Sequence, residues 1–207
     1  MKHSVPHLRE PKLISKLKLK FLMRLKYFFH LASFYFFKFE SWHISSIESR
    51  EYCLDAVSYI NSKVQLDDLV VEIGCGLGET INRINSNKRY GYDLSKQVIS
   101  AAKIHHMFGK AEFEVGSFNS VAGQKIQYLI ALNFLHDFDD MTVALWLDSI
   151  ISNNEISYLI LDEVADPAYE NNHNFSKILP DNFLFLESIG REYRYNRRLK
   201  VFKNNGA

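Results

Sequence analysis

From residue 48 onward the chain alternates between two hydrophobic periods. Residues 48–62 (ESREYCLDAVSYINS) carry Tyr52, Ala56, Tyr59 and Ile60 on one face at helical spacing. Leu69 to Ile73 is instead a short apolar run stopped by glycines, as a strand buried on both faces would be. The same spacing predicts strands at Arg89 to Tyr92, Glu112 to Val115, Gln127 to Leu132 and Tyr158 to Leu161, with helices over 78–86, 95–107 and 139–152. Strands alternating with helices predict an α/β domain, its mostly parallel sheet covered on both faces. The end of the chain departs from this pattern. Phe183 to Arg194 and Arg198 to Phe202 are separated only by a short polar turn around Asn196, which predicts an antiparallel hairpin.

Residues 1–47 form an extension with a different pattern. On a helical projection Ile14, Leu17, Phe21, Leu22, Leu25, Phe28 and Phe29 share one arc, with Lys12, Lys16, Lys20, Arg24 and Lys26 opposite. A basic amphipathic helix of this kind either rests on an anionic membrane surface or lays its apolar face on the domain or a second subunit. Residues 12–37 are thus the expected site of membrane contact or dimerisation, although Leu17 to Phe21 also alternates with the period of a short strand. The longest uncharged run, Tyr27 to Phe37, has eleven residues, far short of the roughly 20 that span a bilayer. No small-residue cleavage site follows it.

Composition sharpens this division. A chain of 207 residues, 47% of them hydrophobic, suits one domain with a sizeable core, residues 48–207. The net charge of +1 conceals a basic leader, nine basic against two acidic residues up to position 40, and an acidic remainder of sixteen against twenty-two. An acidic body argues against a nucleic-acid groove. Two cysteines, Cys53 and Cys75, cannot build a disulfide framework, so a reducing, cytoplasmic setting is expected, with the leader touching the inner membrane surface if it binds lipid.

The segment Val70-Val71-Glu72-Ile73-Gly74-Cys75-Gly76-Leu77-Gly78-Glu79-Thr80 carries the chemistry. Strand, glycine turn and helix together form the nucleotide-binding corner of open α/β sheets. A dinucleotide site wants G-x-G-x-x-G, but here the third glycine comes one position early and Glu79 stands where glycine is expected. Acids at 72 and 79 would repel a pyrophosphate and suit a cationic ligand, so the sulfonium and ammonium of S-adenosylmethionine fit better than NAD or ATP. Asp93, at the end of the next strand, is placed to accept both ribose hydroxyls, or else to cap the 95–107 helix.

On these residues the chain resembles the class I SAM-dependent methyltransferases over roughly 48–203. The resemblance implies a Rossmann-like seven-stranded sheet ending in an antiparallel hairpin. It places Glu72, Gly74, Cys75, Gly76 and Gly78 around the methionine part of the cofactor, Asp93 on the ribose and Leu94 beside the adenine. Val115-Gly116-Ser117-Phe118 is similar to the adenine loop, with Ser117 where the family often has Asp. Ala131 to His136, with Asn133 in its middle, resembles the segment beside the methyl group. The domain also resembles methyltransferases of bacterial cell-surface carbohydrate and natural-product pathways.

Asn133-Phe134-Leu135-His136 lacks the Pro-Pro-Tyr that accompanies amino methylation of bases, which favours a hydroxyl acceptor, small or linked to a glycan or lipid. His136 and His173 are the general-base candidates, and Trp42-His43 a candidate lid. No spacing of His, Cys or acidic residues matches a metal site. Against the enzyme stands a non-catalytic subunit of the same fold, serving as a scaffold at a membrane surface or in a complex.

Overall fold

The computed structural model describes residues 13–167 and 169–206. Side chains are described from Phe21 onward, except those of Leu22 and Met23, so Lys12, Ile14, Lys16, Leu17, Lys20 and Leu22 of the leader lie outside the described side chains.

Five parallel strands, β1 (Leu69–Ile73), β2 (Lys88–Asp93), β3 (Glu112–Val115), β4 (Lys125–Ala131) and β5 (Glu155–Glu163), are joined by the antiparallel hairpin β6 (Phe183–Tyr193) and β7 (Arg197–Asn204) in the order β3-β2-β1-β4-β5-β7-β6. Strand alternation splits the core between two faces. Val70, Ile130, Ile160 and Val201 pack with Ala56 and Ile60 of α2 (Glu51–Asn61) on one side. Val71, Leu129, Leu159 and Phe202 pack with Val143, Leu147 and Ile150 of α4 (Asp140–Ser152) on the other. Between them α3 (Lys96–His105) begins at Ser95, whose hydroxyl accepts the Val98 N–H, and α4 begins at Asp139, which accepts the Thr142 N–H. A single turn, α5 (Phe175–Ile178), precedes β6.

Two expectations are corrected. The helix over 78–86 is only a 3-10 turn at Ile81–Arg83. The carbonyls of Asn82 and Ile84 are taken by the Arg89 guanidinium at 2.8 and 2.7 Å, that of Arg83 by the Asn61 amide, and the Asn85 N–H by Asn61 Oδ1. Side chains thus replace the helical ladder in a segment of Asn and Ser, residues that compete with helix locally.

The leader is one helix, α1 (Leu13–Phe37), with no strand at 17–21, but it turns the unexpected way. Phe21, Leu25, Phe28 and Phe29 of the apolar arc are exposed, and the stripe continues outward through Tyr35 and Phe36. Against the body lie Lys26, His30, Ser33 and Phe34. Lys26 and Arg50 pair with the buried Glu79, which also accepts the Ile47 N–H at 2.7 Å. Ser33 bonds His105 of α3, and His30 bonds the Ile44 carbonyl. A buried carboxylate requires a partner, and satisfying Glu79 decides which face of α1 turns inward.

Candidate functional site

Strand order reverses at β1, whose neighbours are β2 on one side and β4 on the other. Ligands of open α/β sheets bind beyond the carboxyl ends of the strands at such a switch point. The loops after β1 and β4 open there into a cavity of about 280 Å³. Gly74 and Gly76 line it at φ +69° and +54°. A Cβ on Gly74 would stand 2.6 Å from the Phe134 ring, so the turn has no room for a side chain.

Asp93 ties the two edges of this cavity together. One carboxylate oxygen accepts the Gly76 N–H at 3.0 Å and the other the Ser95 N–H at 2.9 Å. Ser95, not Asp93, caps α3, so the capping role is filled by another residue. Burial raises the Asp93 pKa against the pull of these two N–H donors. Glu72 is more deeply buried and accepts the Ile81 N–H at 3.0 Å; desolvation pushes it up to about 8. With Glu40 and Asp137 also in the wall, four carboxylates face Arg50, the single Arg or Lys among the described lining residues. The acidic bias inferred from sequence is therefore present, but Glu79 does not contribute to it, being held by Lys26 and Arg50 outside the lining.

Of the residues expected at the cofactor, Glu72, Gly74, Cys75, Gly76, Asp93, Leu94, Ser117 and Asn133 line this one cavity. Gly78 and Phe118 do not. Gly78 has φ +74°, and a Cβ there would meet the Phe113 ring at 2.2 Å, so this glycine admits β3 packing. Phe118 is fully buried and stacks on Trp146. The aromatic wall is Phe134, Phe138 and Trp146, set by α4 and its approach. Trp42 and His43, the candidate lid, also line the cavity, and their rings stack at 3.5 Å. Arg50, which lies off the apolar face of the helical pattern over 48–62, stands in the wall with its Nε buried and without a hydrogen-bond partner among the described residues.

A second cavity of about 880 Å³ shares Trp42, Arg50 and Asn133 with the first, and is otherwise walled by the segment before α2, Tyr169 and the β6–β7 hairpin. Asn133 sits at φ +69°, its N–H accepted by Asp162 Oδ1 at 2.9 Å, while Asp162 pairs with the buried Arg197. The Arg197 guanidinium lies over the Tyr52 ring at 4.6 Å.

Neither base candidate reaches this wall. His173 has both ring nitrogens engaged, Nδ1 with Asp140 at 2.6 Å and Nε2 with the Leu135 carbonyl at 2.8 Å, and ties the loop after β5 to the start of α4. His136 lies behind Tyr169, ring to ring at 4.4 Å, and burial lowers its pKa. The His173 ring is consumed by its immediate surroundings, whereas His136 keeps a buried Nδ1 without a hydrogen-bond partner among the described residues, with its Nε2 3.7 Å from Asp137 of the cavity wall.

No family model matches the chain, and no curated protein sequence matches it. Solved structures do. The magnesium protoporphyrin IX methyltransferase of Synechocystis PCC 6803 with bound SAM superposes at a TM-score of 0.63 and 18% identity, over 77% of this chain and 81% of that one. The N-methyltransferase NodS of Bradyrhizobium japonicum WM9, in complex with S-adenosyl-L-homocysteine, gives 0.62 and 13%, over 75% and 87%. TehB of Haemophilus influenzae gives 0.55 and 11%, over 75% and 62%. The chain has the Rossmann-like fold of these proteins: seven strands, mostly parallel, with the C-terminal antiparallel hairpin and surrounding helices.

Proposed function

We propose that this protein is a SAM-dependent methyltransferase acting on a hydroxyl of a small, glycan-linked or lipid-linked acceptor. The observation that carries the proposal is Asp93, an acid at the end of β2 bonded to the Gly76 N–H beneath a glycine cradle at the switch point. The wall fits the cofactor. Glu72 would receive its cationic methionine end, the orphaned Arg50 Nε its carboxylate, Asp93 its ribose, and Phe134, Phe138 and Trp146 its base. When bound, the cofactor supplies a methyl carbon already activated by a sulfonium.

Asn133 faces both cavities, and its backbone is fixed by Asp162 at the boundary where an acceptor would approach. The chain's contribution is chiefly to orient the acceptor, since in-line transfer gains most from positioning. Trp42, half over each cavity, would keep water from the shared boundary.

Calorimetry with S-adenosylhomocysteine tests the cofactor. Wild type should bind it, and Asp93→Ala should weaken binding by roughly tenfold or more, the cost of losing hydrogen bonds to a charged group. Undiminished affinity in a folded Asp93→Ala protein would remove the site assignment.

The outward face of α1 supports a second element of the reading, contact with an anionic membrane surface. Phe21, Leu25, Phe28, Phe29, Tyr35 and Phe36 repeat at helical spacing and are exposed, on a leader with nine basic and two acidic residues. Among the described residues no helix is long and apolar enough to cross a membrane. In flotation assays the full chain should rise with phosphatidylglycerol vesicles and not with neutral ones, and the Phe28→Asp, Phe36→Asp double variant should stay behind. Equal recovery of the two proteins would exclude this contact, and a concentration-dependent dimer lost in the variant would assign the face to a second copy.

A further inference from the structure

Among its described lining residues the second cavity holds one cation without a carboxylate. Its acids are each matched: Glu48 by Lys26 and Arg83, Glu51 by Arg191, and Glu192 by Arg198. Arg50 and Arg197 are likewise paired, with Glu79 and Asp162. Arg194 makes no ion pair among the described residues, and its guanidinium lies over the Tyr195 ring at 4.5 Å. An exposed arginine stacked on an aromatic face keeps its planar donor fork open for an oxyanion.

The backbone next to Arg194 is held in an uncommon shape. Tyr195 (φ 66°, ψ 30°) and Asn196 (φ 49°) are both left-handed, within the three-residue turn Arg194–Asn196 between β6 and β7. Asn suits such a turn, but a tyrosine there is costly because its Cβ crowds the following carbonyl. Two contacts hold it. The Tyr195 ring meets Tyr169 edge to face at 5.4 Å, and the Asn196 amide donates to the Ala165 carbonyl at 2.8 Å. The turn is thereby anchored to the loop after β5, with Arg194, Tyr195 and Tyr169 all in the cavity wall. Strain of this kind collects at ligand sites.

We propose that the second cavity takes an acceptor bearing an oxyanion, a phosphate or a carboxylate, which Arg194 grips while Tyr169 and Tyr195 pack against the acceptor's ring. This rests on the methyltransferase reading only in naming the ligand an acceptor; the oxyanion site itself stands on Arg194 and the turn. Specificity would come from Arg194 through its charge, with the reacting hydroxyl directed toward Asn133.

The test titrates the full chain with glucose 1-phosphate, glucuronate and glucose, following amide shifts of the hairpin by NMR, with S-adenosylhomocysteine titrated into the same samples by calorimetry. At least one of the two anions should bind roughly tenfold more tightly than glucose, as for a charge-assisted hydrogen bond gained, and which one does so distinguishes phosphate from carboxylate. Arg194→Ala should abolish the preference and Arg194→Lys restore part of it; Arg194 has an exposed side chain and no hydrogen-bond partner among the described residues, so folding is spared. Neither anion exceeding glucose, or an Arg194→Ala protein that keeps the preference, would overturn the proposal. Loss of S-adenosylhomocysteine binding alone would strike the cofactor reading and leave the oxyanion site standing.

Discussion

Asp162→Ala is expected to lower the unfolding free energy by about 3–5 kcal/mol, because it leaves Arg197 buried and uncompensated. Asp162 is 2% exposed and Arg197 3%, so water cannot replace either partner. For a chain of this size such a loss corresponds to a drop in Tm of about 10 °C. The same carboxylate accepts the Asn133 N–H and so holds Asn133 in the left-handed region, which asparagine tolerates better than most residues but which is uncommon outside glycine. Replacing the pair by apolar residues, Asp162→Leu with Arg197→Met, should recover most of the stability, since well-packed hydrophobes often substitute for buried ion pairs. It should not recover the fixed position of Asn133, so S-adenosylhomocysteine affinity should remain reduced in the double variant. Denaturant unfolding and calorimetry on the three proteins decide the matter. An Asp162→Ala protein as stable as wild type would mean that the buried pair contributes nothing.

The frame of the molecule was legible because it depends on local signals. Val70 and Val71 point to opposite faces of the sheet, the glycines stop β1, and Phe183 to Phe202 folds back through Asn196; each is a short-range pattern, and each strand lies where its pattern placed it to within a few residues. What was not legible depends on partners distant in sequence. Arg89 and Asn61 replace the backbone hydrogen bonds of a helix over 78–86, from positions the periodicity of that segment does not contain. Beside the glycines Glu79 reads as a residue facing a ligand, yet Lys26, more than fifty positions away, takes its charge. His136 and His173 had the right residue type for a base and the right place along the chain, but side-chain orientation is set by Tyr169, Asp140 and Leu135. Arg50 gives no signal, because a single arginine in sequence looks the same whether it is paired or left open.

Glu72→Gln is expected to stabilise the free protein at alkaline pH and to weaken its hold on a cationic ligand. Glu72 keeps its proton up to about pH 8 in the fold, against an ordinary value of 4.5, because burial disfavours the carboxylate. Between those two values the folded protein therefore binds more protons than the unfolded chain, and stability falls as pH rises. The slope is about 1.4 kcal/mol per pH unit, accumulating to roughly 5 kcal/mol above pH 8. Glutamine has no proton to lose and still accepts the Ile81 N–H, so the variant should match wild type near pH 4.5 and exceed it increasingly toward pH 9. Binding inverts the preference. A cation placed beside Glu72 favours its charged form, so association between pH 6 and 8 should release a proton, visible as a dependence of the binding heat on the ionisation enthalpy of the buffer. That release should vanish in Glu72→Gln together with part of the affinity. Parallel stability curves for the two proteins from pH 5 to 9 would show that Glu72 is ionised throughout, and a buffer-independent heat in wild type would show that the bound cation does not sense it.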